Sequence, residues 1–154
     1  MAIDMFLKFE GAKPAITGES IDAGHPNEIE VLAYSWGVSN AGTGRSSPQD
    51  LSFTTYYSKA SILLFQACCV GSVVPSATLT LRKAGAKPLE YLKIKLDNVV
   101  VSSDSLGGSG GEDRMTENFT LHFEKINFTY TMVKPDGKTA ETVGGFDFVA
   151  MKKL

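Results

Sequence analysis

Apolar residues recur at every second position through most of this chain, and that period leaves little besides a β fold. Leu32, Tyr34 and Trp36 share one phase, as do Ala77, Leu79 and Leu81, then Leu92, Ile94 and Leu96, then Phe119, Leu121 and Phe123. Successive side chains of a strand point to opposite faces, so each run reads as a half-buried strand. The spacing predicts strands over 4–9, 28–38, 51–56, 76–83, 89–103, 116–133 and 144–149, with Pro135-Asp136-Gly137 as a turn. Within 116–133 the phase flips at Glu124-Lys125, because Ile126, Phe128, Tyr130 and Met132 fall on the other parity. A flip of this kind predicts a β-bulge or a strand that bends between two sheets. Over 28–38 the large Leu32, Tyr34 and Trp36 suit a core. The opposite face, Val31, Ala33 and Ser35, is small and mild and suits a surface or a channel lining.

One segment breaks the period. Ser58 is a plausible N-cap and Gly71 a plausible stop, and between them Ala60, Leu63, Leu64, Ala67 and Cys68 form a helical stripe. Ile62, Phe65 and Cys69 add a second apolar stripe, leaving Lys59, Ser61 and Gln66 as the clearly polar positions. A helix apolar around most of its girth is covered on more than one side, here by a sheet and by a partner subunit. Residues 10–27, with Gly11, Pro14, Gly18, Gly24 and Pro26, read as loop. Residues 39–50 form a polar, glycine- and serine-rich loop, long for a plain connector and so a candidate contact arm. The expected fold is mainly β: a β-barrel or sandwich of two packed antiparallel sheets carrying one α-helix at about 58–70. The 154 residues read as a single domain without internal repeats.

Several function classes drop out. The net charge is −2, and no basic cluster with interleaved aromatics points to nucleic acid. No apolar run approaches the ~20 residues of a membrane span. Met1-Ala-Ile-Asp-Met-Phe lacks the basic start and apolar stretch of a signal peptide, so the expected site of synthesis is the cytosol, with export by another route. Adjacent Cys68 and Cys69 make a strained disulfide and a poor zinc site, which favours two buried free thiols. His25, in a polar loop before Pro26, reads as solvated. His122 points away from the apolar side of Leu121 and Phe123. Neither has metal-ligand spacing, and no cofactor or metal is expected.

The stretch Gly107-Gly-Ser-Gly-Gly-Glu-Asp-Arg-Met-Thr-Glu117 needs the closest reading. A phosphate loop requires G-x-x-x-x-G-K-[ST]; here Glu112 follows and no lysine. G-x-G-x-x-G fails because Asp113 occupies the third glycine position. The letters of G-x-S-x-G are present at Ser109, but that motif works only as a strand-to-helix elbow, and a strand follows here. The glycines read as a flexible strand connector. Glu112, Asp113 and Glu117 beside Arg114 read as a salt-bridge network before an acid–base pair. Tyr56-Tyr57 is the one adjacent aromatic pair that a glycan platform could use.

Several segments together resemble one family. They are Met1-Ala-Ile-Asp-Met-Phe-Leu-Lys, Glu28-Ile-Glu-Val-Leu-Ala-Tyr-Ser-Trp-Gly37, Gln49-Asp-Leu-Ser-Phe-Thr54, Ala77-Thr-Leu-Thr-Leu-Arg-Lys-Ala-Gly85, Glu90-Tyr-Leu92, and Val101-Ser-Ser through Gly107-Gly-Ser-Gly-Gly-Glu-Asp-Arg-Met-Thr-Glu-Asn118. In this order they resemble Hcp, the haemolysin-coregulated protein of the bacterial type VI secretion system. After Tyr130 the likeness is weak. The resemblance implies a phage tail-tube-like barrel with one helix, a hexameric ring, and rings stacked into a tube expelled by sheath contraction. It implies as partners further copies of the chain, effector proteins sheltered in the lumen, a spike protein and a contractile sheath. It also implies a cytoplasmic protein that is secreted on firing, with no enzymatic role. On this reading the subunit or ring contacts are helix 58–70, Gly42, Arg45 and Gln49 of the long loop, and Glu112, Asp113 and Arg114. Val31, Ala33 and Ser35 are the candidate lumen lining. The competing class is a small-ligand-binding or enzymatic β-barrel, which needs an enclosed apolar pocket with convergent polar groups.

Overall fold

The computed structural model describes residues 3–42, 44–83 and 89–154. In chain order the strands are β1 (Ile3–Glu10), β2 (Ile29–Ser35), β3 (Val38–Asn40), β4 (Ser46–Pro48) and β5 (Leu51–Tyr56). Helix α1 (Lys59–Val70) follows, then β6 (Val73–Lys83), β7 (Leu89–Gly107), β8 (Thr116–His122), β9 (Lys125–Val133), β10 (Thr139–Asp147) and β11 (Lys152–Lys153). The main sheet runs β11-β10-β9-β7-β6-β1-β2-β5-β8, and β8 returns to pair with β7. Strands β7, β6, β1, β2, β5 and β8 therefore close a six-stranded barrel, and β9, β10 and β11 extend from it as a flap. Every pairing is antiparallel. Closure removes two sheet edges that would otherwise template pairing with other chains.

The anticipated phase flip is the pivot of this topology. β7 is 19 residues long. Its first half pairs with β9 over Leu92–Asp97, and its second half pairs with β8 over Val100–Gly107. Asn98 sits between them at φ 54. Across that point the buried parity changes from Ile94 and Leu96 to Val99 and Val101. The paired β8–β9 segment flips opposite it, from Phe119, Leu121 and Phe123 to Ile126. The two switch points are bonded: Glu124 donates its N–H to Asp97 O (3.1 Å), and Asn98 Nδ2 donates to Glu124 Oε2 (2.8 Å). β7 thus serves both barrel and flap, while the expected single strand over 116–133 is two strands, β8 and β9, parted where the sequence changes parity at Glu124-Lys125.

The barrel interior is filled by side chains, as expected for so few strands. Leu7, Leu51, Phe53, Leu79, Leu96, Phe119 and Leu121 are essentially inaccessible, with the Phe53 and Phe119 rings stacked at 5.1 Å. Each such side chain contributes roughly 1.5–3 kcal/mol by leaving water.

Helix α1 begins and ends where its caps require. Ser58 Oγ accepts the Ala60 N–H and Ser61 Oγ accepts the Ser58 N–H, a capping box that satisfies first-turn donors. Gly71, at φ 71, donates its N–H to Ala67 O, a left-handed stop that favours glycine. The expected inner stripe packs on the barrel: Ala60 and Leu64 are buried, and Leu63, Ala67 and Cys68 lie partly buried against the core.

Strand β2 departs from simple alternation. Its register with β5 shifts between Val31 and Ala33. The bulge places Ile29 and Val31 in the core and turns Leu32 outward at 41% exposure, after which Tyr34 and Trp36 pack inward. Val31 is therefore a core residue and not part of a lumen face. One extra residue reverses which parity is buried, and apolar spacing alone does not register it when both parities carry aliphatic side chains.

Candidate functional site

Two unlike surfaces stand out on the barrel. The first is the outer side of α1. Ile62 is 66% exposed and Phe65 50%, and Val70 and Val73 extend the same apolar face. Beside them a groove of about 490 Å³ opens between the helix, the start of β6 and the loop after β1, lined by Pro14, Leu63, Phe65, Val70, Val73 and Pro75. Cys69 is exposed here and Cys68 half-buried, both as free thiols. The expectation of two buried thiols is corrected for Cys69, whose position carries it to the outer stripe. Further exposed apolar side chains lie on the flap, Tyr130 and Met132 on one face and Val133 and Val143 on the other. Tyr130 pairs with Leu92 and Val73 with Val100 on the same strand, so about 25 Å of β7 separates the two patches.

The second surface is an uncharged ladder on the outer face of β2, β5, β8 and β7. Ser35 pairs with Ser52, Ser52 with Thr120, Thr54 with Asn118, Ser103 with Thr120, and Ser105 with Asn118. Residues paired across strands share a face, so these side chains form one hydroxyl- and amide-rich surface. Thr54 Oγ1 donates to Asn118 Oδ1 (2.6 Å), and the Ser103 and Thr120 hydroxyls lie 2.6 Å apart. Ala33 and Ser35 are exposed at its β2 edge. At one end Asp50 Oδ1 holds His122 Nδ1 (3.0 Å), while Ser102 Oγ donates to Asp50 Oδ2 (2.6 Å). The serine is thus wired to the acid and not to the imidazole. That arrangement lacks the hydroxyl-to-imidazole bond that activates a nucleophile.

The predicted contact segments project from the barrel. The long loop is a small hairpin of β3 and β4, with Gly42 (φ 84) and Arg45 exposed toward its tip. Gln49 closes its base, donating its N–H to Gly37 O (2.9 Å) and accepting Trp36 Nε1–H (2.7 Å) at its carbonyl. Residues 108–115 connect antiparallel β7 and β8, and Ser109 lies in this turn, so no nucleophile elbow forms. Glu112 and Asp113 are exposed. The expected salt-bridge network is corrected: among the described residues Glu112, Asp113 and Arg114 make no ion pair, and Arg114 lies 3.9 Å over the Tyr56 ring. Arginine stacking on the aromatic face takes the place of the carboxylate contact. The same contact covers Tyr56, leaving Tyr57 as the exposed member of the pair.

Two polar clusters are buried, and the sequence placed neither. His25 is 7% exposed, not solvated, with its ring stacked on Phe6 at 4.5 Å. Its Nδ1 meets Glu28 Oε2 and its Nε2 meets Glu90 Oε2, each at 2.9 Å. Arg82 bridges Asp22 (2.7 Å) and Asp4 (3.1 Å) nearby. The Arg82 hydrogen bonds, helped by the Gly24 N–H, lower Asp22 to about 2. Burial works to raise Glu90, but the His25 hydrogen bond and charge outweigh it and its acidity increases. This cluster ties the 10–27 loop to β1, β6 and β7. The other cluster is Glu117, 1% exposed, whose Oε1 accepts the Ser61 hydroxyl at 2.7 Å. Glu117 shares parity with Phe119 and Leu121, a signal present in the sequence that it points inward. Among the described residues no group of three or more His, Cys, Asp or Glu has metal-holding geometry, and no helix is long and apolar enough to cross a membrane.

The comparisons with known proteins agree with this architecture. The family model described as "Type VI secretion system effector, Hcp" matches residues 6–130. Protein hcp1 of Pseudomonas aeruginosa is 48% identical over 147 residues, covering 89% of this chain and 88% of that protein. The crystal structure of Hcp1 from Salmonella typhimurium superposes with a TM-score of 0.86 at 37% identity, covering all of both chains. A type VI secretion system effector from Yersinia pestis gives 0.77 at 36% identity, covering 94% of this chain and 99% of that one. Barrel, flap and helix are thus a shared design. The chain belongs to the Hcp family of type VI secretion system effector and tube proteins.

Proposed function

We propose that this chain is the tube subunit of a type VI secretion system, assembling as a hexameric ring whose stacked copies enclose a lumen for effector proteins. The observation that carries the reading is the exposed apolar face of α1. A helix that leaves Ile62, Phe65 and Val70 in water at these exposures is unfinished as a monomer surface. The occupant is a second copy of the chain, in keeping with a self-associating family. Two different apolar patches about 25 Å apart along β7, the helix groove and the Tyr130–Met132 face of the flap, suit a head-to-tail contact. Such a heterologous contact makes a ring when its rotation closes.

The uncharged ladder, with Ala33 and Ser35 at its edge, is the face turned to the lumen. Hydroxyls and amides already bonded to one another offer cargo no sticky apolar patch and no fixed charge. The β3–β4 hairpin with Gly42, Arg45 and Gln49, and the exposed Glu112 and Asp113, serve ring-to-ring contacts; Arg114 supports them through Tyr56. The tube docks to a spike protein and a contractile sheath, and it leaves the cytoplasm when the machine fires. No enzymatic role is assigned, since the Ser102–Asp50–His122 wiring does not activate a nucleophile.

A small-ligand barrel is the rival. It is disfavoured by an interior already filled by Phe53, Phe119 and Leu121, and by a groove that lies open on the outside. Negative-stain images of the purified protein test the choice: uniform annular particles support the tube subunit, and compact monomers return the ligand-binding reading.

A further inference from the structure

We propose that Glu117 and Asp104 hold a single proton between them, and that this shared proton latches the first turn of α1 onto the barrel. The inference is independent of ring assembly. Glu117 enters β8 opposite Leu106, and Asp104 sits two residues earlier on β7 opposite Phe119. The two carboxyl groups are diagonal neighbours on the inward face, close enough for long side chains to meet.

Glu117 Oε1 is taken by the Ser61 hydroxyl of α1. Its Oε2 and both Asp104 oxygens are buried and have no donor. Two ionised carboxylates cannot occupy such a site without strong repulsion, and neither supplies a donor to the other. One shared proton resolves the geometry: Glu117 O–H donates to Asp104, and Ser61 O–H donates to the remaining Glu117 oxygen. Three elements then meet at one carboxyl, namely α1, β7 and β8.

Among the described residues no cation pairs with either carboxyl. From α1 the facing group is the neutral Ser61 hydroxyl, and from β5 it is the neutral Thr55, paired with Glu117. Lys59 is exposed and Arg114 is stacked on Tyr56. Asp104 of β7 is the charged group that acts on Glu117. Burial first, then Asp104, pushes Glu117 up to about 8 from the ordinary 4.5, against the opposing Ser61 hydrogen bond. The folded chain therefore keeps a proton that the unfolded chain releases. Stability from this site is complete below about pH 4.5, falls as pH rises, and levels off above about 8. Within that window the unfolding equilibrium constant rises by up to about tenfold per pH unit.

Urea unfolding of the full chain at fixed protomer concentration, measured from about pH 5 to 9, reads this slope directly. Glu117→Gln keeps the Ser61 acceptor and offers Asp104 a permanent N–H, so the variant is expected to lose most of the pH slope. Asp104→Asn offers Glu117 a donor from the other side and is expected to flatten it as well, which keeps the test open if one variant folds poorly. Infrared spectra of the wild type at neutral pH should contain a protonated carboxyl band that Glu117→Gln lacks. Parallel pH slopes in wild type and variant, or no such band, overturn the shared proton.

Discussion

The helix side and the strand side of this barrel are both exposed, yet they are built from opposite chemistry. Around α1 the surface carries Ile62, Phe65, Val70 and Val73. Across the barrel wall it carries Ser35, Ser52, Thr54, Asn118 and Thr120, paired across strands, with Thr54 bonded to Asn118 and Thr120 to the Ser102 and Ser103 hydroxyls. The apolar side loses free energy in water and gains by being covered, at roughly 25 cal/mol per Å². The hydroxyl side gains nothing from being covered, because its groups are already satisfied by neighbours and solvent. A single chain with both surfaces is suited to a closed assembly, in which one face becomes interior to the protein and the other stays wet.

The sharpest way to break the contrast is to charge the helix. Ile62→Asp with Phe65→Asp places two acids on the outer stripe and is expected to abolish assembly, read by sedimentation velocity. The monomer should fold unchanged, because both positions point away from the core. Retained assembly would mean that the helix face is not the interface.

The next effect separates the two sides of the same helix. Leu64 is fully buried. Leu64→Ala is expected to cost about 2–5 kcal/mol of unfolding free energy, measured by denaturant titration. A loss below about 1 kcal/mol would place α1 among loosely attached elements, outside the range for buried leucine.

The smallest effect belongs to the strand side. Ser35→Lys is expected to change stability by no more than about 0.5 kcal/mol, as for a surface position, and to leave assembly intact. On the proposed lumen placement of this face, co-purified effector protein should nevertheless fall. Loss of folding would return Ser35 to a packing role.

Much of this was legible in the sequence, and the failures share a cause. Period-two parity located nearly every barrel strand, and the flip at Glu124-Lys125 announced the change of partner that joins barrel to flap. Ser58 and Gly71 marked the helix ends, because caps are local chemistry. Val31 was misplaced because a bulge shifts parity without altering composition. His25 was misplaced because its partners Glu28 and Glu90 converge only when β7 passes the 10–27 loop. Arg114 chose Tyr56 over the acids beside it in sequence, since adjacent residues in a turn need not face each other. Local signals were therefore readable, and contacts set by closure of the barrel were not.

Native mass spectrometry of the unmodified chain at micromolar concentration tests the central claim most directly. A single dominant species of six copies, maintained on dilution, is the result this account predicts. A stable monomer across the same concentrations would contradict it, and would leave the apolar face of α1 without the partner assigned to it.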